Sequence, residues 1–263
     1  MKYCIFLLIL LHTRVNGQNP GPMLGAMGSG GTAVSGIWSL QRNPAGISEL
    51  KMPTLAIAYE RHFLDEEVST QTALFALPAR GSVFGVSFES YGLYEYKEQQ
   101  AGFFYSKSFG NAFRLAVGLR YHQLNISQYG SAKAYSVEVG FQLKVTNEFT
   151  IASHIANPSR SRYNDISNSS LPVKLSIGGS CRLSDRILMI ADVRKVLNYP
   201  LDVMTGIEYN VVKWFSLRGG VSANPFKQYT GFGINYNKFQ IDVAVASHPT
   251  LGYSPQIALG YAF

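Results

Sequence analysis

The chain has 263 residues, 46% of them apolar and 13% aromatic, with 23 Lys and Arg against 16 Asp and Glu for a formal charge of +7. The basic excess is spread thinly, with no dense basic run, which argues against nucleic acid as a partner. With only two cysteines, one of them Cys4, a disulfide-built fold is excluded, and no apolar run is long enough for a transmembrane helix.

The chain starts "MKYCIFLLILLHTRVNGQNP". Lys2 gives a positive first segment, Cys4 to Leu11 a short apolar core, and Gly17 a small residue at a cleavage position. Residues 1–17 are therefore expected to be a secretory signal peptide. Cys4 lies too near the start to be a lipoprotein cysteine, so no lipid anchor is expected. Cleavage removes Lys2 and Arg14, which lowers the charge from +7 to +5. About 245 residues remain, enough for one large all-β domain. Cys181 is then the only cysteine, a small apolar residue on a strand.

Residues 18–52 do not follow a strand pattern. They begin with the glycine-rich "PGPMLGAMGSGGTAVSG" and run into "IWSLQRNPAGISEL". Residues 53–263 are a series of short alternating segments with fourteen strand candidates. These are Thr54–Arg61, Thr70–Leu77, Ser82–Tyr91, Glu98–Phe109, Ala112–Gln123, Lys133–Val145, Phe149–Ala156, Val173–Leu183, Ile187–Lys195, Leu201–Val211, Trp214–Ala223, Tyr229–Tyr236, Phe239–Ser247 and Ser254–Phe263. Connections after even strands are tight: "PARG", "GN", "TNE", "SDR", "VK" and "NK". Those after odd strands are mostly longer, from "HFLDEEVS" to "NPSRSRYNDISNSSLP" and "HPTLGY".

A period of two means strands with different surroundings on their two faces. One face carries Leu55, Ile57, Tyr59, Leu115, Val117, Val137, Val139, Ile241 and Val243. The opposite face carries charges: Glu60, Glu89, Arg114, Arg120, Glu138, Lys174, Arg182, Asp192, Arg194, Asp202, Glu208, Arg218 and Asp242. Unpaired, each such ion would cost several kcal/mol in a soluble β-core. A wet lumen accommodates them, so the charges are expected to face the inside of a barrel and the apolar rows to face lipid. The expected fold is all-β: a 14-stranded antiparallel transmembrane β-barrel with an N-terminal glycine-rich plug. It belongs in the outer membrane, in contact with its lipid. An even strand count puts both termini in the periplasm.

The last residues, "PQIALGYAF", alternate Ile257, Leu259, Tyr261 and Phe263 with small or polar residues. A bilayer leaves no water for an open strand edge, so this strand must pair with the first. The pattern resembles the β-signal of bacterial outer-membrane proteins. That resemblance implies that Ile257, Leu259, Tyr261 and Phe263 are read by the barrel-assembly machinery.

The stretch "GSGGTAVSGIWSLQRNPAGISEL" resembles the N-terminal signature of FadL-type and PorV/PorQ-type outer-membrane barrels, on Gly28, Gly30, Gly31, Ala33, Val34, Trp38, Ser39, Asn43, Pro44, Ala45 and Gly46. The resemblance implies a plug or hatch in the lumen, with Trp38, Asn43, Pro44, Ala45 and Gly46 as its motif. The pattern departs from the family at Ser35–Gly36 and at Gln41–Arg42. The short "WSLQRNPAG" is closer to the PorV/PorQ-type group found in Bacteroidota. That group implies binding of secretion-system or surface proteins, in type IX secretion or surface attachment. The FadL-type alternative implies uptake of a small hydrophobic compound. Taken by itself, NPAG is either a turn that holds the segment to the first strand or part of a working hatch.

No catalytic set stands out, and the chain is not expected to be an enzyme. His122 and His154 fall on the lumen face, where chance neighbours are common. His62, His122, His154 and His248 lack metal-ligand spacing, so no metal or cofactor is expected. Gly25 to Gly31 is not a phosphate loop, because no GK[ST] follows.

Overall fold

In the computed structural model, residues 19–164 and 170–263 are described. The segment 1–17, expected to be a signal peptide, lies outside the described residues. The strands are β1 (Thr54–Arg61), β2 (Ser69–Ala79), β3 (Ser82–Gly92), β4 (Tyr96–Phe109), β5 (Phe113–Ile126), β6 (Gly130–Lys144) and β7 (Phe149–Ala156). They continue with β8 (Lys174–Ser184), β9 (Ile187–Val196), β10 (Leu201–Val212), β11 (Phe215–Ala223), β12 (Phe226–Tyr236), β13 (Phe239–His248) and β14 (Gly252–Ala262). Each pairs antiparallel with its chain neighbours, and β1 pairs with β14 from Thr54↔Ala262 to Glu60↔Gln256, so the sheet is a closed barrel. The Phe263 amide extends the seam by donating to Pro53 O at 2.9 Å. Closure leaves no strand edge, as a membrane barrel requires. Among the described residues no helix is long and apolar enough to cross a membrane.

Several strands run further than alternation and turn residues suggest. Pro78 lies inside β2 instead of in a turn. It sits beyond Thr54↔Ala76, the last pair with β1, so its missing N–H takes nothing from that ladder. Arg80 and Gly81, both at positive φ, make the two-residue hairpin there. At the other end of the barrel, β6 starts at Gly130 and β12 at Phe226, inside stretches read as loops. Gln128 and Gly130 at positive φ turn the chain within three residues, which frees the flanking residues to pair. The expected segregation of loop lengths is therefore weaker than the sequence suggests. Only the connections 62–68 and 157–173 are long.

The two faces separate cleanly. Ile57 is 50% exposed on the outside, while its neighbours Ala56 and Ala58 are buried inside. The outer apolar rows continue through Val117, Val137, Ile207 and Leu217. The interior is filled by residues 19–52, with a short helix α1 (Pro22–Ala26) and two 3₁₀ turns, Ile37–Gln41 and Pro44–Glu49. Leu24, Met27, Leu40 and Ile47 of this segment pack with Leu74, Val83, Phe104 and Ile190 of the wall. The lumen is thus a packed core around most of its charges, not the wet bore that the charges alone suggested.

Candidate functional site: the plugged lumen

The segment lies in the bore because both partners give up side chains where backbones meet. At Gly21, with φ +81, a Cβ would stand 2.0 Å from the Trp38 ring. Gly28, at φ +74, lies against the carbonyls of Thr205 and Val221. The wall replies with its own glycines. A Cβ on Gly206 would stand 2.6 Å from Met27, and one on Gly220 would stand 2.3 Å from the Gly28 nitrogen. A Cβ on Gly140 would be 2.0 Å from Asn43 Oδ1. Sequence reasoning missed these wall glycines, although each falls on an inward position of its strand.

Asn43 is extended, at φ −152, as the residue before a proline prefers to be. Its Oδ1 accepts from Ala45 N at 3.1 Å, capping the 3₁₀ turn that Pro44 begins. Its amide donates to Thr32 O (2.9 Å) and to Phe141 O on β6 (3.1 Å). Ser106 Oγ donates to Ala45 O at 3.2 Å. Asn43, Pro44, Ala45 and Gly46 are all buried, as is Trp38. The NPAG corner is both a turn and a clamp on the wall.

Thr32 is the other fixed point. Asp192 Oδ2 on β9 accepts from Gly31 N (2.5 Å), Thr32 N (2.8 Å) and Thr32 Oγ1 (3.0 Å). Gln142 Nε2 donates to Thr32 O and Val34 O, both at 3.1 Å. Ser180 Oγ donates to Ala33 O at 3.1 Å, and Arg194 Nη2 to Ser29 O at 3.1 Å. Asn19 N donates to Glu89 Oε2 at 3.2 Å. Arg114 reaches Glu49 and also donates to Gln142 Oε1 at 3.0 Å.

Other interior charges pair along the wall. Arg120 Nε meets Glu138 Oε1 at 2.6 Å, and His154 lies 3.2 Å from the other oxygen. Arg218 bridges Glu208 (2.6 Å) and Asp242 (2.5 Å). Glu60 accepts from Gln256 at 3.0 Å. Asp202 accepts from the amides of Ala223 and Asn224, and Lys174 is half-buried. Arg182 departs from the expected set: it is exposed, beside the register shift between Arg182 and Ser184 at the end of β8.

Arg42 was passed over in the sequence because it falls where the chain departs from the family pattern. It is 9% exposed, and its side chain makes no hydrogen bond or ion pair with any described residue. Burial first, and then the charge of Arg194, pull its pKa well below that of an ordinary arginine.

Nothing here resembles a reaction centre. His122 Nε2 lies 2.8 Å from Ser136 Oγ, but among the described residues no carboxylate orients the other ring nitrogen. No group of three or more His, Cys, Asp or Glu among them could hold a metal ion.

No family model matches the sequence, and no curated protein matches it. Solved structures do. The Pseudomonas putida toluene transporter TodX superposes with a TM-score of 0.70 at 12% identity, over 91% of this chain and 96% of that one. The Ralstonia pickettii toluene transporter TbuX gives 0.69 at 14%, over 94% and 99%. A Pseudomonas aeruginosa FadL homologue gives 0.65 at 11%, over 92% and 98%. The fold is that of the FadL-like outer-membrane barrels. At these identities the likeness is one of architecture.

Proposed function

We propose that this barrel is an outer-membrane channel for a small hydrophobic compound, gated by residues 19–52. The observation that carries this is how the segment is held. It fills the bore but belongs to no strand ladder, and side-chain hydrogen bonds from Asp192, Gln142, Ser180 and Glu89 tie it down. It can shift without breaking the wall. Its resemblance to toluene transporters in fold supports the choice of cargo. In this reading residues 1–17 are cleaved, 18–52 form the hatch, 53–263 form the barrel, and both termini face the periplasm. The inward charges line and fasten the hatch seat. The chain carries a compound across and catalyses nothing.

The test is uptake of labelled toluene by cells that make the barrel, against cells that do not. An Ala33→Cys/Ser180→Cys pair in a Cys181→Ser background locks the hatch when oxidised. Uptake above background, abolished by oxidation and restored by reduction, is the expected result. Uptake unaffected by the lock would sink the gating role.

A second reading has its own observation. Tyr94 and Tyr129, at the tips of two hairpins, are 93% and 88% exposed. Aromatic side chains held out in this way suit a docking surface, which would fit a PorV/PorQ-type accessory role with secretion or surface proteins. Purification of the tagged barrel from native outer membrane with a stoichiometric protein, lost on Tyr94→Ala/Tyr129→Ala, would favour it.

A further inference from the structure

We infer that Arg42 is a receptor for an oxyanion, set on the hatch itself, and that the barrel takes a ligand bearing a carboxylate or phosphate group. Its part in transport rests on the channel reading, but binding does not.

Arg42 is placed by its surroundings. Its amide donates to Ser39 O at 2.9 Å, closing the 3₁₀ turn, and the next residue is the clamped Asn43. The guanidinium is therefore delivered to a fixed point in the bore. Yet it has no partner. Nε is walled off from solvent with nothing to donate to. The carboxylates nearest in charge are engaged elsewhere: Asp192 with Gly31 and Thr32, Glu89 with Asn19, and Glu60 with Gln256. None of them comes within 4.0 Å of an Arg42 nitrogen.

A buried, unpaired guanidinium costs folding free energy that any apolar side chain of similar length would avoid. Its neighbours add donors, not acceptors bonded to it. Arg194 stands within electrostatic range, with a single bond to Ser29 O. Asn19 Nδ2 and Gln41 Nε2, on the same segment, are also buried donors with no acceptor. Planar guanidinium donors in a dry setting recognise carboxylate and phosphate best. A neutral hydrocarbon would leave all of them unmet.

The experiment is isothermal titration of the purified full barrel in detergent with sodium benzoate, inorganic phosphate and toluene. Benzoate binding alone assigns an organic acid, and phosphate binding alone an inorganic ion or phosphorylated compound. Either is expected to weaken about tenfold or more in Arg42→Met and to be largely kept in Arg42→Lys. Folding is followed by the temperature at which the heat-modifiable band disappears on a gel. Arg42→Met is expected to raise that temperature while losing the ligand, a combination that a structural arginine would not give. The inference fails if neither anion binds saturably, if Arg42→Met binds as the wild type does, or if Arg42→Met melts earlier. Failure of toluene uptake with anion binding intact would overturn the hydrocarbon cargo and leave the receptor standing.

Discussion

A single oxygen of Asp192, Oδ2, accepts both the backbone N–H and the hydroxyl of Thr32, at 2.8 and 3.0 Å. The Gly31 amide converges on the same atom. No other wall side chain among those described binds the hatch through three donors, so this carboxylate is its strongest polar latch. Asp192→Ala leaves those donors without their acceptor, at about 1–3 kcal/mol. Hydrogen exchange at Gly31 and Thr32 should speed up at least tenfold while exchange in the barrel strands is unchanged. Equal exchange in the two proteins would show that the latch is dispensable.

The wall glycines define a footprint. In Gly206→Ala/Gly220→Ala the new methyls meet Met27 and Gly28 backbone atoms at 2.6 and 2.3 Å unless something moves. Overpacking of this kind costs about 1–3 kcal/mol. The hatch, held only by side-chain bonds, should yield before the wall does. New protease cleavage within residues 20–31, with the heat-modifiable barrel band intact, is the expected pattern.

Inward and outward positions should fail in different ways. Val139→Arg puts a charge on the outer face and should cost about 2–4 kcal/mol near a bilayer midplane, seen as a lower refolding yield in lipid. Gln142 is fully buried and ties Thr32, Val34 and Arg114 together. Gln142→Ala should refold normally in lipid yet loosen the hatch by about 1–3 kcal/mol. A wet lumen would have made changes at this position mild, but a packed one does not.

His62 offers a pH test at the end of β1. Its Nε2 lies 2.7 Å from Thr70 Oγ1, and its ring meets Tyr91 edge-on at 5.3 Å. Burial, and then the charge of Lys227, push its pKa down to about 4. A histidine depressed in the folded state binds its proton more readily once released. Its contribution is therefore full above about pH 6.5 and is lost as pH falls from there toward 4. Glu60, 3.7 Å from Nδ1, offsets part of this loss. Protease sensitivity of residues 62–68 should rise between pH 7.5 and pH 5, and His62→Gln should flatten the difference.

Phe263 packs edge-on against Tyr261 at 5.0 Å, while its amide bonds Pro53 O. Phe263→Ala removes at most about 1.5–3 kcal/mol of burial and keeps the backbone bond. If the row Ile257, Leu259, Tyr261 and Phe263 is read during assembly, the amount in the outer membrane should fall. The barrels that do insert should melt at the wild-type temperature. Ala262→Ser, on the inner side, should do little. Normal amounts of Phe263→Ala would make the residue packing alone.

The wall was legible because a period of two, as in Leu55, Ile57 and Tyr59, encodes the face of every residue at once. Strand ends were less so. Gln128 and Gly130 look like loop residues, but their positive φ makes them the turn itself. The contents of the lumen were hardest to read. A glycine such as Gly206 or Gly140 reads as a weak strand position until the backbone it admits is known. Its inward parity was the available clue. Arg42 escaped notice because it breaks a familiar pattern, and the pattern drew attention to Asn43 instead.

The seam between β1 and β14 also sets an order of events. Residues 19–52 run directly into β1, and the ring around them is continuous. A closed ring cannot take in a folded segment from the side. The glycine footprint requires Met27 and Gly28 to meet β10 and β11 backbone to backbone, a fit more readily laid down on an open sheet than threaded along a finished tube. The segment then serves as a mandrel. The sheet winds around it, its bulk sets the circumference, and the bond from Phe263 to Pro53 fastens last.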